Sequence, residues 1–181
     1  LTAITMLCAS SSSSIEVASA GEIAFIHPKA MHGVLIELAQ PPVDSHTSSS
    51  KGFDHLAAMV TDIDSVAKIW SSVLGLDMSA KIDASDQGIL IGQIPCGQAV
   101  MELVQPATED SPLAARIEDI GEHAASMIAI EVTDLEGEIE RYRSAGLTVS
   151  DSSRGPIPGT LRASLNPGET FGLGIQLISY I

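Results

Sequence analysis

The chain of 181 residues is poor in aromatic side chains, in cysteine and in positive charge. Only 3% of its residues are aromatic, whereas 45% are hydrophobic, so its core must be built mainly from aliphatic side chains and methionine. The two cysteines, Cys8 and Cys96, provide neither a disulfide framework nor the spacing of a metal site. A reduced, cytoplasmic setting is therefore the default expectation.

Basic residues are heavily outnumbered by acidic ones. Nine Lys and Arg residues against 23 Asp and Glu residues give a formal net charge of −14. Nucleic acids and anionic membrane surfaces are both bound through basic side chains, so this balance argues strongly against partners of either kind. An anionic small substrate would need local basic residues, and the candidates are Lys29, Lys51, Lys68, Lys81, Arg116, Arg154 and Arg162.

The N-terminal stretch LTAITMLCASSSSSIEVASA is a poor candidate for a targeting or membrane segment. It has no positively charged start, and its apolar run is too short to span a bilayer. We therefore expect residues 1–19 to be a flexible or truncated start. A second polar stretch, residues 42–52, shows no periodicity and is expected to be a linker.

A strong helix signal follows this linker. Between Ile63 and Leu74 the apolar residues recur at intervals of three and four, which is typical of an amphipathic helix. Asp62 or Thr61 can cap its first turn, and Gly75 stands where a C-terminal glycine belongs. A shorter helix is predicted from Ser111 to Gly121, with a proline in its first turn.

The chain contains an internal repeat. The tripeptide at Val60 recurs at Val132, an offset of 72 residues, and the apolar face of the first helix recurs in the segment after Asp134. The run IELAQP at 36–41 returns as MELVQP at 101–106 and more loosely as IQLI at 175–178. We infer two full units at 53–106 and 125–179, each a strand, a helix and three strands. The closing strands of a third, partial unit occupy 20–41.

These residues resemble a known superfamily. Duplicated βαβββ units, together with IAFIHPKAMHGVLIELAQ at 23–40, FDHLAAMVTDID at 53–64 and ELVQPATEDSPLAARIED at 102–119, are similar to the vicinal oxygen chelate superfamily. Within it, they most resemble the methylmalonyl-CoA epimerase family. The resemblance implies an α+β fold in which residues 53–181 form one module. Its paired βαβββ units would build an open, cup-like mixed sheet.

The resemblance also implies a metal site in the cup. Members of the family bind a divalent ion through a His on the first strand of each unit and a Glu or Gln on the last. For this chain the resemblance implies Co, Mn, Zn, Ni or Mg as candidate ions. Matching positions are His55 and Glu102 in the first full unit, and Met127 and Gln176 in the second. The partial unit keeps the family's terminal glutamate as Glu37. Met127 and Gln176 depart from the pattern, because a thioether is a poor ligand for a hard ion and an amide carries no charge.

Roles follow from the same resemblance. Glu37 and Glu102 are the expected proton-shuttling bases and metal ligands, whereas Gln98 and Met127 are expected to contact substrate. Simpler interpretations remain open for these residues: a hydrogen-bonded histidine at position 55, solvent-facing glutamates at 37 and 102, and an apolar lining residue at 127.

Three functions are compatible with the sequence. The first is metal-assisted α-proton abstraction and racemisation of an acyl-CoA thioester or another carbon acid. The second is a metal-free small-molecule binding module of the bleomycin-resistance type, and the third is a degenerate structural half of a tandem enzyme. A homodimer is compatible with all three, because these units commonly pair across chains in the superfamily.

Overall fold

The computed structural model describes residues 3–7, 23–27, 29, 31, 35–39, 52–97, 99–122 and 125–181. Eleven strands lie in this part of the chain. They are β1 (Ala3–Leu7), β2 (Ile23–Ile26), β3 (Leu35–Ala39), β4 (Phe53–Met59), β5 (Ala80–Ala84), β6 (Ile89–Cys96), β7 (Ala99–Pro106), β8 (Ala125–Glu131), β9 (Ser153–Arg154), β10 (Thr160–Ser164) and β11 (Gly174–Tyr180).

Three α-helices accompany these strands: α1 (Ile63–Leu74), α2 (Pro112–Ile120) and α3 (Leu135–Ser144). The predicted caps are confirmed. Asp62 accepts hydrogen bonds from the first-turn amides of α1, and Gly75 ends that helix with a left-handed φ of 67°. Ser111 caps α2 in the same way, with Pro112 in the first turn.

The central sheet has eight strands in the order β5-β6-β7-β4-β8-β11-β10-β9. The two βαβββ units therefore contribute four strands each, in mirrored order. Within each unit the first strand runs parallel to the last, as β4 with β7 and β8 with β11. The units meet where β4 and β8 pair antiparallel, with Leu56 opposite Ile128. These two residues are 72 positions apart, so the predicted fold of paired units is confirmed.

Helices α1 and α3 cover the outer face of the sheet. Side chains alternate along each strand, so every second residue faces the helices and the others face the inner surface. Two buried apolar clusters lie on the outer face. One surrounds Trp70 of α1 and includes Ile63, Val66, Ile94, Met101 and Leu103. The other surrounds Ile139 of α3 and includes Leu135, Val149, Leu165 and Leu177.

The N-terminal part forms a separate three-stranded antiparallel sheet, in the order β1-β3-β2. The expected closing strands are present as β2 and β3. Within residues 1–19, expected to be a flexible or truncated start, the structure describes one strand, Ala3–Leu7, which pairs with β3. Ile36 of β3 is fully buried in the cluster around Trp70, so this sheet packs on the outer face of the first unit. Among the described residues, no helix is both long enough and apolar enough to cross a membrane.

We predict that Gly92→Ala destabilises the fold. Gly92 of β6 lies under the start of α1, where an added Cβ would come within 2.6 Å of Ile63 Cγ2 and 2.9 Å of the Met78 sulfur. Crowding of this kind costs about 1–3 kcal/mol. Urea unfolding should show a lower midpoint with an unchanged slope. The matched control is Gly168→Ala, where a Cβ meets only ordinary contacts; equal losses in the two variants would contradict the explanation.

Candidate functional site

The inner face of the eight-stranded sheet lines a cavity of about 110 Å³ that opens to solvent at its mouth. Most of the lining is aliphatic, with Ala57, Met59, Ile89, Ile91, Val104, Leu113, Pro156, Ile157 and Ile178. Five further lining residues are polar or charged: His55, Glu102, Thr160, Arg162 and Gln176.

His55 is held in one orientation by a carboxylate and a phenol. Its Nδ1 lies 2.6 Å from Asp54 Oδ1, and Asp54 Oδ2 accepts a hydrogen bond of 2.8 Å from the hydroxyl of Tyr180. His55 itself is only 3% exposed. Because Asp54 occupies Nδ1, the other ring nitrogen, Nε2, is the one presented to the cavity. A carboxylate behind a histidine is also the usual support for a metal-binding imidazole.

Glu102 lies next to this histidine on the parallel strand β7. Its Oε2 is 3.5 Å from His55 Nε2, and its Oε1 accepts a hydrogen bond of 2.8 Å from the Gln93 amide. The Glu102 side chain is buried, with 3% of its surface exposed. A buried carboxylate needs hydrogen-bonding or charged neighbours, and Gln93 and His55 supply them. One imidazole and one carboxylate therefore meet in an apolar cup.

The two side chains behind His55, Asp54 and Tyr180, have pKa values that differ from their ordinary ones. Partial burial of Asp54 favours its neutral form, but the hydrogen bonds from His55 and Tyr180 outweigh burial and lower the pKa of the carboxyl below its ordinary value. Burial, together with donation to Asp54, raises the pKa of Tyr180 above that of a free phenol. Asp54 is therefore an anion and Tyr180 a neutral donor throughout the physiological range.

At the positions that correspond to His55 and Glu102, the second unit carries side chains that are weaker metal ligands. Met127 and Gln176 line the same cavity as His55 and Glu102. Gln176 is only 5% exposed, and the structure shows no hydrogen bond for its side chain among the residues it describes. The amide of Gln176 is not among the fully enclosed polar atoms without a partner in the described residues, so it is open to the cavity. Gln176 therefore offers its amide to a ligand in the cup.

One predicted site residue, Glu37, lies away from the cup. Glu37 belongs to β3 in the smaller sheet, and its neighbour Ile36 packs on the outer face of the first unit. It is absent from the lining of the cup, so the structure does not bring Glu37 together with His55. A role for it as ligand or base stays a hypothesis, which would need a site shared with a second chain. Gln98 falls outside the described residues.

Three side chains that line the cup carry atoms of a kind that binds divalent metals: His55 Nε2, the Glu102 carboxylate and the Gln176 amide oxygen. Three protein ligands with open positions for water and substrate are characteristic of catalytic metal sites. By donor type these residues suit such a site, but the amide is neutral, and Met127 adds only a soft thioether. Within the described part of the chain, no group of three His, Cys, Asp or Glu side chains could hold an ion.

Several residues of the site escaped the sequence analysis. Asp54 adjoins His55 in the chain, and Gln93 lies opposite Glu102 in the β6–β7 register, so both could have been found from a predicted strand pairing. Tyr180 is 126 residues from its partner Asp54, and no local pattern indicates that contact. Arg162 appeared only among the basic candidates, and Thr160 gave no signal.

Comparison with known proteins identifies the family. The sequence profile described as "Glyoxalase/Bleomycin resistance protein/Dioxygenase superfamily" matches residues 52–177. The chain belongs to this superfamily. The match covers both βαβββ units, so the cup described above is the part of the chain that it shares with the family.

Individual proteins and structures similar to this chain are named as epimerases. The ethylmalonyl-CoA/methylmalonyl-CoA epimerase of Cereibacter sphaeroides is 29% identical over 104 residues, which cover 58% of this chain and 78% of that protein. A methylmalonyl-CoA epimerase from Mycobacterium tuberculosis superposes with a TM-score of 0.66 at 25% identity, covering 77% of this chain and 94% of its own.

A second similar structure is a Streptomyces coelicolor methylmalonyl-CoA epimerase variant in complex with 2-nitronate-propionyl-CoA. It has a TM-score of 0.66 at 21% identity and covers 73% of this chain and 96% of its own. At this identity the likeness establishes the shared fold. All three relatives are named as epimerases of CoA thioesters.

We predict that Tyr180→Phe changes the pH dependence of stability. Asp54 has a lower pKa in the folded protein than in the unfolded chain. It therefore stabilises the fold above its unfolded-state pKa of about 3.9, and this contribution is lost as pH falls through the folded-state pKa. Removing the phenol hydroxyl should cost about 0.5–1.5 kcal/mol near neutral pH.

Urea unfolding at several pH values tests this prediction. The difference between wild type and Tyr180→Phe should shrink below about pH 4 as Asp54 becomes protonated. Tyr142→Phe is the matched control, because Tyr142 lies on α3 and packs in the outer cluster around Ile139. A Tyr180→Phe penalty that stays constant across the acid range would show that Asp54 is not its source.

Proposed function

We propose that the chain is an epimerase-like enzyme that removes and returns the α-proton of an acyl thioester, with acyl-CoA as the substrate class. The observation that carries the proposal is the buried pair of His55 and Glu102, whose side chains lie 3.5 Å apart in an otherwise aliphatic cup. Proton abstraction from carbon needs a positioned base in a site that excludes water. The names of the relatives indicate the thioester class.

In this proposal Glu102 is the base. Gln93 occupies its Oε1, so Oε2 is the oxygen beside His55 and the cavity. His55 cannot turn away, because Asp54 accepts from its Nδ1 and Tyr180 anchors Asp54 in turn. The four side chains thus fix one carboxylate oxygen against the position where a substrate carbon would lie.

A divalent metal is part of the proposal. His55, Glu102 and Gln176 would hold it, and Co, Mn, Zn, Ni or Mg are the candidates. A bound ion would act as a Lewis acid on the thioester oxygen and stabilise the negative charge that develops when the α-proton leaves. The unpartnered amide of Gln176 supports this assignment, since a metal or a substrate oxygen would satisfy it.

The arrangement of ionisable side chains in the cup favours exchange of the substrate α-proton with solvent over rapid inversion of the α-carbon. His55 and Glu102 lie on neighbouring strands of the first unit, and the other ionisable lining residue, Arg162, keeps its proton. Inverting a carbon requires the proton to return to the opposite face. With one base on one wall, we expect proton exchange with solvent to be faster than inversion of configuration.

A metal-free binding module is the second candidate function. Met127 and Gln176 favour it, since they replace two strong donors of the family pattern with a thioether and an amide. In that case the cup would bind a small molecule through its aliphatic wall and its five polar groups without changing it. Metal content and proton exchange, measured on one preparation, separate the two candidates.

We predict that Glu102→Gln abolishes most α-proton exchange on methylmalonyl-CoA. The wild-type protein, supplied with Co²⁺ or Mn²⁺, should incorporate deuterium from D₂O, as followed by mass spectrometry. Loss of a general base lowers such rates by about 10²- to 10⁴-fold. Glu140→Gln is the control, because Glu140 is exposed on α3 and should exchange at the wild-type rate.

Two outcomes of this experiment would contradict the prediction. Exchange that persists in Glu102→Gln would remove Glu102 from the role of base. Wild-type protein that binds methylmalonyl-CoA but exchanges no proton, with or without metal, would favour the binding module instead.

We also predict that Met127→His strengthens metal binding. Met127 lines the same cavity as His55 and Glu102, so an imidazole there would add a strong donor to theirs. Improving the ligand set should tighten binding of Co²⁺ or Zn²⁺ by at least about tenfold, as measured by titration calorimetry. Met127→Leu, which adds no donor, should leave the affinity unchanged. If a folded Met127→His variant had the wild-type affinity for the metal, the metal would bind away from the cup or would not bind at all.

A further inference from the structure

Arg162 is the one Lys or Arg side chain that lines the cup among the residues the structure describes. It lies on β10 of the second unit and is partly buried. Its Nη2 donates a hydrogen bond of 3.0 Å to Gln87 Oε1, and no carboxylate among the described residues pairs with it. A guanidinium carries five N–H donors, so most of its donors remain for a ligand.

The position of this charge is costly for the protein. Partial burial lowers the pKa of Arg162, because removal from water disfavours the charged form. A guanidinium nevertheless stays protonated in proteins. The cup therefore holds a permanent positive charge whose protein partner is a neutral amide. Negative charge that develops beside this group is stabilised by it, and more strongly in an apolar cup than in water.

The other polar lining residues are less suited to stabilise negative charge. His55 donates from Nδ1 to Asp54, so its neutral ring presents a lone pair at Nε2. The Thr160 hydroxyl donates to the Ile157 carbonyl at 2.6 Å. Gln176 offers an amide without charge. Among the lining residues that the structure describes, the guanidinium is therefore the cationic donor that stays charged.

The base and the guanidinium lie on different walls of the cup. Glu102 belongs to β7 of the first unit and Arg162 to β10 of the second, on either side of the β4–β8 pairing. The cavity between them measures about 110 Å³, so an acyl thioester in it meets both walls. Gln87 connects the rims, because its Oε1 accepts from Arg162 while its Nε2 lies 3.4 Å from the Gly155 carbonyl. A substrate oxygen can thus face Arg162 while the α-carbon faces Glu102.

The second unit also has weak ligands for a metal ion. Met127 and Gln176 stand where the family pattern places stronger ligands, and neither holds a hard divalent ion firmly. The same unit supplies Arg162, whose charge is part of the chain and does not depend on bound metal.

We propose that Arg162 is a catalytic residue that donates hydrogen bonds to the thioester carbonyl oxygen as the α-proton leaves. The inference rests on the proposed function and names a positive group that acts whether or not an ion is bound. Glu102 takes the proton, the C–H electron pair forms a carbon–carbon double bond, and the carbonyl π pair moves onto oxygen to give an enolate. Because this oxygen gains its charge during the reaction, a donor beside it stabilises the transition state more than the substrate.

The first test measures α-proton exchange after chelation of metal with EDTA. The full chain should still incorporate deuterium from D₂O into methylmalonyl-CoA. Arg162→Gln should lower this metal-free rate by about 10²- to 10³-fold, as loss of an oxyanion donor does. Arg162→Lys should retain part of the rate, since it keeps the charge without the fork. Arg154→Gln is the matched control: Arg154 is exposed on the neighbouring strand β9 and its loss should not change the rate.

The second test detects the enolate without turnover. Acetoacetyl-CoA has no free carboxylate on its acyl group, and its enolate absorbs in the ultraviolet. Bound to EDTA-treated protein at neutral pH, it should hold more enolate than in free solution. Arg162→Gln should lower the enolate-to-keto ratio of the bound ligand by about 10- to 100-fold, because a charged hydrogen bond is lost. The ratio refers to bound ligand alone, so a role of Arg162 in holding CoA phosphates would weaken binding and leave the ratio unchanged.

Four results would overturn the inference: exchange that EDTA abolishes, a metal-free rate that Arg162→Gln does not alter, an enolate ratio that this variant does not alter, and acetoacetyl-CoA that does not bind folded wild-type protein. Thermal unfolding shows whether each variant is folded.

The proposed function fails by different results. Full exchange in Glu102→Gln would remove its base while an enolate band that depends on Arg162 remained. A protein that exchanges no α-proton, with or without metal, but shows that band would not be the proposed enzyme and would still hold the substrate oxygen at Arg162. Exchange that requires metal would retain the enzyme and remove the role of Arg162.

Discussion

The antiparallel pairing of β4 with β8 is the interaction on which the site depends. It joins two units that could not enclose a cavity alone, and its register sets Leu56 opposite Ile128. Because side chains alternate along a strand, this register turns His55 and Met127 to the same surface. A shift by one residue would move His55 into the outer apolar clusters and destroy both the cup and the packing of α1. The packing of the core and the geometry of the site therefore require the same register between β4 and β8.

The sequence predicted this fold because its signals are local or repeated. The helix over Ile63–Leu74 follows from apolar spacing and two caps, although one of its apolar residues, Val73, is 49% exposed. The repeat offset predicted two equivalent units, and in the structure two residues at that offset, Leu56 and Ile128, lie opposite each other. Contacts between residues far apart in the sequence were not predictable in this way. Tyr180 of β11 reaches Asp54 of β4 across the single strand β8, and Gln87 reaches Arg162 because the sheet curls. Neither contact leaves a mark on local periodicity.

The two halves of the cup have become chemically unequal. The first unit contributes a buried imidazole and carboxylate, with Asp54 and Gln93 to orient them. The second contributes Met127, Gln176 and Arg162 at its surface of the cavity. A symmetric site would give both halves the same task. This asymmetry assigns proton chemistry to the first half under our proposal and leaves the second half to hold the substrate, for which an amide, a thioether and a guanidinium are well suited.

The smaller sheet bears on the idea that the chain is half of a tandem enzyme. Ile36 of β3 packs at full burial beside Trp70 on the outer face, away from the cup. Glu37 is its neighbour on the strand, so it turns away from that cluster. Residues 35–39 thus stabilise the first unit through apolar burial, whatever Glu37 does. If Glu37 has a chemical role, its site lies beyond this cup, and under our proposal the His55–Glu102 pair provides the proton chemistry of the eight-stranded module without it.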